Sequence, residues 1–416
     1  MTALAKSAIA NPYSAKFVHS LVGMVPAALV SIAVGWTTIM FAQDTGGRGP
    51  MSLTRAAVPL LLALIASRPW RRVSARVLAL ASAVAVAALM VCALTPPGWF
   101  GANRAASYAF AAATFVTVAA YVRRTANVYL IASILTVAGG IQFFRALVPW
   151  WGSRDPSSVM VGTFYWHNQF GAFLLVPAIL GVALIVANRA PYRFVGWIIT
   201  PFAAAGVVFS TSRGSEMALA VGWLLVGVLS ACARRNVRVL LARWVAASVL
   251  CGVMPFVLAG PPFFSTWHVP WASTQARAAT GETLEQNSNV RIYFWRQSLI
   301  VFEHHPVAGV GYGALSNEAV KLTPANWPRS PLAHDDYLQS LADGGLLLGL
   351  PFLLACGAIG FVLLRRTLML LRHGTTDPLR IGVVVCAMAL MAHAAIDFDW
   401  SYPALFATAA AVAGLA

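Results

Sequence analysis

The stretch QFGAFLLVPAILGVALIVA at residues 169–187 holds nineteen consecutive residues without a charged side chain. About 20 apolar residues make a helix long enough to cross the roughly 30 Å hydrocarbon layer of a bilayer. A helix also satisfies its own backbone hydrogen bonds, which lipid cannot do. This stretch therefore predicts a transmembrane helix.

The whole chain has the composition of a membrane protein. Of its 416 residues, 59% are hydrophobic and only 10% are charged, which leaves too little polar surface to cover a soluble globule. The span rule predicts an all-α polytopic fold of about twelve transmembrane helices. We place the spans near 20–42, 51–67, 77–94, 105–122, 127–144, 169–187, 194–212, 217–232, 244–262, 343–364, 381–397 and 401–416.

The net charge of +16 comes from basic residues in short clusters between the apolar runs. Short loops rich in Lys and Arg face the cytoplasm, so the pattern indicates membrane topology rather than a nucleic-acid partner. The first run, 21–42, is expected to be a retained signal anchor, and both termini are expected to be cytoplasmic. The predicted cytoplasmic residues are Lys6, Lys16, Arg68, Arg71, Arg72, Arg76, Arg123, Arg124, Arg189, Arg193, Arg234, Arg235, Arg238, Arg243, Arg365, Arg366, Arg372 and Arg380.

The chain is expected to divide into transmembrane helices 1–9 at 1–262, a large external loop at 263–342, and helices 10–12 at 343–416. A structureless loop of that length is improbable, and the loop carries helical signals. A first helix is predicted after an Asn289 cap and before Pro306. A second is predicted from a Ser330 cap and Pro331 toward the Gly344-Gly345 pair.

His334 is the candidate proton acceptor. His334 is predicted to lie in the first turns of the second loop helix. It shares a face of that helix with Leu338 and Leu341, the face expected to pack inward. An imidazole can accept a proton at neutral pH. The alternative is a loop histidine that hydrogen-bonds a backbone carbonyl. Asp335 could orient the ring, although acidic residues are also expected in a first helical turn.

Three arginines are candidates for binding an anion. Arg291 is predicted at the N-terminal end of the first loop helix, where the dipole repels a cation and an anion would be met by free N–H groups; the alternative is simple solvent exposure. Arg213 follows the seventh span, where it could merely be a cation at a helix C-terminus beside Glu216. Arg296 lies on another helix face and is a secondary candidate.

Other motifs narrow the classes of chemistry. The D-x-D pair Asp397 and Asp399 resembles a metal site, although helix-end aspartates explain it as well, so Asp397 is a secondary candidate. Asp44 is the only acidic residue of the first external loop, and no H-E-x-x-H or G-x-S-x-G motif occurs in the sequence. The five cysteines show no clustered spacing. No metal or other cofactor is expected.

Six motifs occur in order along the chain: SRG at 212–214, NVR at 289–291 with Trp295, HP at 305–306, GVG at 309–311, AHDDYLQ at 333–339 and ADGGLL at 342–347. Taken together, these motifs resemble the O-antigen ligase and polymerase superfamily of bacterial envelope enzymes. The ordered set is more specific than any one motif and covers about half the chain. Where that family shows His-Asn, this chain has His334-Asp335, which leaves the role of Asp335 open.

The resemblance implies a membrane-glycosyltransferase-like fold with a large periplasmic loop in the bacterial inner membrane. It implies transfer of a polysaccharide from undecaprenyl pyrophosphate to an acceptor sugar, without a metal. Arg213 and Arg291 would bind the pyrophosphate, and His334 would take the proton from the acceptor hydroxyl in an inverting displacement. The expected partners are this donor, lipid A–core as acceptor and membrane lipid.

Within the superfamily, the single loop of moderate length favours a ligase of lipopolysaccharide assembly. A polymerase and a protein O-oligosaccharyltransferase remain alternatives. From a different class, a secondary transporter for an anionic substrate would also need arginines in the membrane. Transporters tend to place such charges near midplane and to show paired halves, and this sequence shows neither feature.

Overall fold

The computed structural model describes residues 28–36, 38–39, 50–95, 99–122, 124–153, 159–232, 237–259, 284–373 and 377–416. Several predicted features lie outside these residues: the first span at 20–42 except for 28–36 and 38–39, the loop segment 263–283, and the side chains Lys6, Lys16, Asp44, Arg123, Arg234 and Arg235.

The described part of the chain is all-helical, as the sequence predicts. Residues 28–36 are helical, and the following helices are α1 Pro50–Ser67, α2 Pro69–Arg72, α3 Ala75–Leu94, α4 Trp99–Tyr121, α5 Thr125–Ser153, α6 His167–Ala187, α7 Tyr192–Phe209, α8 Arg213–Cys232, α9 Val237–Ala259, α10 Leu284–His304, α11 Leu315–Leu322, α12 Asp336–His373, α13 Pro378–Ala394 and α14 Pro403–Leu415.

Seven of these helices are long and apolar enough to cross a membrane, by length and composition. They are α3, α5, α6, α7, α8, α9 and α12. On the outer helices large apolar side chains point away from the protein, among them Leu89, Val228 and Leu354. Such a surface is expected where lipid is the solvent, and the fold is that of a polytopic membrane protein.

Helix α6 forms the centre of the bundle. It packs against α5, α7, α8 and α13. Every residue from Asn168 to Val186 is buried, because the helix is apolar on all sides. Its first turn, at the end of the apolar run, carries the polar residues His167, Asn168 and Gln169. The centre of the bundle therefore presents three polar side chains at one end.

The predicted loop helices begin at different residues than the sequence suggests. Helix α10 starts at Leu284, so Asn289 lies inside it rather than capping it. The Ser330 cap is also wrong, because the Ser330 hydroxyl accepts from the N–H of Leu332 within a local turn, 3.1 Å away. Helix α12 starts only at Asp336.

Helix α12 is interrupted by a kink at the glycine pair, between the predicted loop helix and the predicted span 343–364. Gly345 has φ 54°, a left-handed conformation that glycine adopts without strain, and the helix continues beyond this kink to His373. The backbone N–H groups of Leu346 and Leu347 donate instead to the carbonyls of Pro306 and Val307, at 2.7 and 2.9 Å. The kink thus ties α12 to the segment that follows α10.

The glycine-rich segment 309–313 is a turn, as expected. Gly309 has φ 65°, and a Cβ atom there would lie 2.4 Å from the backbone carbon of Asp343. Only glycine permits this close approach. The N–H groups of Val310 and Gly311 donate to the carbonyls of Ala342 and Asp343. This turn holds the loop against the first part of α12, at Ala342 and Asp343.

Candidate active site

The centre of the candidate site is the carboxylate of Asp397, which is only 2% exposed. Asn168 Nδ2 and Gln169 Nε2 donate to it at 2.7 and 2.9 Å. The N–H of Phe398 donates to Oδ1 at 2.9 Å. Helix α13 ends at Ala394, so Asp397 lies beyond the helix rather than inside the predicted span 381–397. N–H donors surround this carboxylate.

Arg291 is the cation that faces this carboxylate. Its Nη2 lies 3.3 Å from Asp397 Oδ2, and its Nη1 donates to the carbonyl of Ile396. Because α10 begins seven residues earlier, Arg291 is not at a helix N-terminus. The prediction that it lies at the N-terminal end of the first loop helix was wrong. Its side chain is 25% exposed, so one side of the guanidinium faces solvent.

His334 lies on the other side of Asp397. Its Nδ1 is 3.7 Å from Asp397 Oδ1, slightly beyond a hydrogen bond, and its side chain is 20% exposed. The ring stacks on Phe294, with centroids 5.3 Å apart, and meets Phe398 edge-on at 4.7 Å. The aromatic rings therefore hold the imidazole in one orientation.

The backbone of His334 is not helical, contrary to the prediction that it lies in the first turns of a helix. It has φ 54°, a left-handed conformation that costs energy for a residue with a side chain. Surrounding contacts hold it there. Trp295 Nε1 donates to the His334 carbonyl at 3.2 Å, and the preceding N–H, of Ala333, donates to Gln339 Oε1 at 2.7 Å.

Asp335 has a structural position. Its Oδ1 accepts from the N–H groups of Tyr337 and Leu338, both at 2.9 Å, so it caps helix α12. It therefore fixes the start of the helix directly after His334. Burial raises the pKa of Asp335 above its ordinary value, partly offset by these two backbone donors. Arg296, the other secondary candidate, is exposed on α10.

Arg213 begins helix α8 instead of ending the helix before it. Helix α7 ends at Phe209, and Thr211 turns the chain with φ 53°. The carbonyl and hydroxyl of Ser212 accept from the N–H groups of Glu216 and Ser215, so α8 is capped. A cation at a helix N-terminus is unfavourable by itself, so the expected stabilisation by a helix C-terminus does not apply.

The guanidinium of Arg213 has unused donors. Its Nε and Nη2 atoms are buried and have no hydrogen-bond partner among the described residues. Gly214, the next residue, packs against Ile396: a Cβ there would lie 3.1 Å from Ile396 Cδ1. Since the Ile396 carbonyl binds Arg291, the starts of α8 and of the Asp397 segment are close neighbours.

The electrostatics of Asp397 follow from these neighbours. Burial by itself would raise the pKa of this carboxyl. The His334 imidazole and the charge of Arg291 more than offset that effect and hold the pKa of Asp397 below its ordinary range. Asp397 is therefore ionised at neutral pH and pairs with the guanidinium of Arg291.

A second group of hydrogen-bonded polar side chains lies beside the Asp397 cluster. This group was not predicted from the sequence. Asp399 Oδ2 is 2.6 Å from His393 Nδ1, and His393 Nε2 is 3.1 Å from the Ser215 hydroxyl. The Asp399 and His393 side chains are both 1% exposed. This group connects α13 to the start of α8, and therefore to the residue next to Arg213.

Asn168 and Gln169 were also missed. Gln169 is the first residue of the predicted span 169–187, the stretch quoted for its lack of charged side chains, and Asn168 directly precedes it. A polar side chain inside a membrane protein is costly unless it has a partner. That rule is the signal that could have identified them. Within the described part of the chain, no three His, Cys, Asp or Glu side chains are arranged to hold a metal ion.

Comparison with known proteins supports the resemblance found in the sequence. Residues 197–353 match a family described as O-Antigen ligase, whose members transfer glycosyl groups. The matched segment contains Arg213, Arg291 and His334 but not Asp397. No curated protein matches the chain significantly. The apolar helices and this match together indicate a protein of the inner membrane. The chain thus carries an O-antigen ligase family domain at residues 197–353, which confirms the resemblance to the O-antigen ligase and polymerase superfamily.

Proposed function

We propose that this protein is an O-antigen ligase that transfers O-antigen polysaccharide from undecaprenyl pyrophosphate to a sugar of lipid A–core. The observation that carries the proposal is the placement of His334 and Arg291 on the two sides of Asp397. A proton acceptor and a cation held by one buried carboxylate are the two groups that a metal-free glycosyl transfer needs.

His334 is proposed as the general base. If its Nδ1 carries the proton and faces Asp397, then Nε2 has a free lone pair. Nε2 takes the proton from the acceptor hydroxyl while that oxygen attacks the anomeric carbon in a single inverting step. The 3.7 Å separation from Asp397 is typical of catalytic contacts that tighten only when substrate binds.

The arginines are proposed to bind the leaving group. When the bond from the anomeric carbon to the pyrophosphate oxygen breaks, its electron pair remains on the pyrophosphate and adds negative charge. Arg213 has two buried N–H donor atoms without a partner among the described residues, and it stands at the N-terminus of α8, which favours anions. Arg291 keeps an exposed side for a second contact. These guanidinium groups replace a metal in neutralising the leaving group.

The charge distribution supports the orientation that the sequence predicts. We propose that both termini face the cytoplasm, and that the site lies at the periplasmic surface beside the loop of residues 263–342. The donor then enters with its lipid in the outer leaflet. We also propose that residues 1–262 and 343–416 contain the transmembrane helices on either side of this loop.

Reconstitution tests this function. Purified protein in lipid vesicles receives lipid-linked O-antigen and rough lipopolysaccharide in the presence of a metal chelator, and products are separated by gel electrophoresis. We expect polysaccharide to appear on lipid A–core. If only the carrier-linked chain lengthens, the protein is a polymerase. If the chelator stops transfer and Mg²⁺ restores it, the metal-free mechanism is wrong.

A further inference from the structure

A long apolar cleft of about 510 Å³ lies apart from the candidate site. Helices α3, α4, α12, α13 and α14 form its walls. Its volume is within the usual range for sites that bind small ligands. The walls stay open because small residues line them, including Ala112, Ala355, Ala358 and Ala410.

The two ends of the cleft differ in polarity. Trp400 and Tyr108 close one end, and Arg72, Arg366 and Arg380 line the other. No acidic residue is among the lining residues. Within the described part of the chain, neither Arg366 nor Arg380 forms a salt bridge, and the charge of Arg380 acts unfavourably on Arg366. An anion at this end would relieve that repulsion.

The length of the cleft fits a lipid chain. From Phe352 to Arg366, α12 runs fourteen residues, or about 21 Å at 1.5 Å per residue. That distance exceeds half of the roughly 30 Å hydrocarbon layer. Between its ends the cleft offers almost no polar group to bind a sugar or a peptide. The occupant must be apolar along its length and anionic at the arginine end.

We propose that the cleft binds an anionic phospholipid, with its phosphate at Arg72, Arg366 and Arg380 and one acyl chain along the apolar walls. The sequence predicts all three arginines on the cytoplasmic side, so the lipid comes from the inner leaflet. This site is separate from the pyrophosphate site, because the donor of the proposed reaction has its phosphates at the opposite end of the bundle.

Native mass spectrometry of the full chain tests the proposal, with phosphatidylglycerol as the anionic probe and phosphatidylethanolamine as the zwitterionic one. The variant Arg366→Gln with Arg380→Gln removes two charges from the cleft. The matched control, Arg365→Gln with Arg372→Gln, removes two exposed charges from the same helix that do not line it. We expect about 25-fold weaker phosphatidylglycerol binding in the cleft variant, at about fivefold per charge, and no change in the control.

A second pair of variants tests the acyl chain. Ala358→Phe fills the cleft without changing a charge, and Leu354→Phe adds a ring at an exposed position outside it. Phosphatidylglycerol binding should fall only for Ala358→Phe. Equal losses in both charge variants would overturn the proposal in favour of general surface attraction. Equal binding of the two lipids, or displacement of phosphatidylglycerol by undecaprenyl phosphate, would also overturn it.

Discussion

Asp397 and Asp399 are two buried carboxylates separated by one residue, yet their surroundings differ. Asp397 meets Arg291 and His334, which are 25% and 20% exposed. Asp399 pairs with His393, and both side chains are 1% exposed. The first carboxylate thus holds groups that a substrate can reach, and the second holds groups that are sealed inside. Accessibility, and not residue type, separates a candidate catalytic cluster from a structural one.

The largest expected effect is at His334. Removal of the general base in His334→Ala should lower kcat by about 10²–10⁴-fold, since a positioned base contributes that much to proton transfer. Reconstituted initial rates measure the effect, and a thermal melt shows that the protein is folded. His305→Ala is the control, because His305 pairs with Glu318 in the same loop. A near-normal rate for His334→Ala would rule out His334 as the general base.

The second-largest loss of activity is expected at Arg291. Arg291→Gln should lower kcat by about 10²–10³-fold, because a group that stabilises developing charge contributes on that scale. Arg296→Gln is the matched control, as Arg296 is exposed on the same helix. The measurement is kcat at saturating donor for both variants. If the two variants lose activity equally, Arg291 acts only through the general charge of the helix, and its pairing with Asp397 has no special role.

The carboxylates themselves give the most direct comparison. Asp397→Asn should lower kcat by about 10–100-fold, the equivalent of a hydrogen bond to a charged group, with little loss of rate in Asp399→Asn. Asp399→Asn should instead lower the free energy of unfolding by about 3–5 kcal/mol, because it breaks a fully buried pair. The test is to measure the reaction rate and the melting temperature of both variants. If Asp399→Asn instead lost rate and Asp397→Asn lost stability, the hydrogen-bonded group of Ser215, His393 and Asp399 would be the catalytic one.

The sequence by itself determined that this is a membrane protein. A chain that crosses lipid needs long apolar helices, and each apolar run of about 20 residues can be recognised directly in the sequence. It also identified Arg213, Arg291 and His334 as candidates, through motifs that are ordered along the chain. Helix starts were less predictable. Ser330 and Asn289 have capping chemistry, but α10 begins five residues before Asn289 and α12 begins six residues after Ser330. Before α12, the backbone of Ala333 and His334 bonds instead to the side chains of Gln339 and Trp295.

Only the tertiary structure decided which groups meet. Asn168 is 229 residues from Asp397 along the chain, and Arg291 is 106 residues from it. No local pattern encodes such a pairing, because the energy of a buried carboxylate depends on what the other helices place beside it. Periodicity and propensity act over a few residues. Contacts between distant parts of the fold bring α6, α10 and the segment after α13 together at Asp397, and they gather these separate polar side chains into one candidate site.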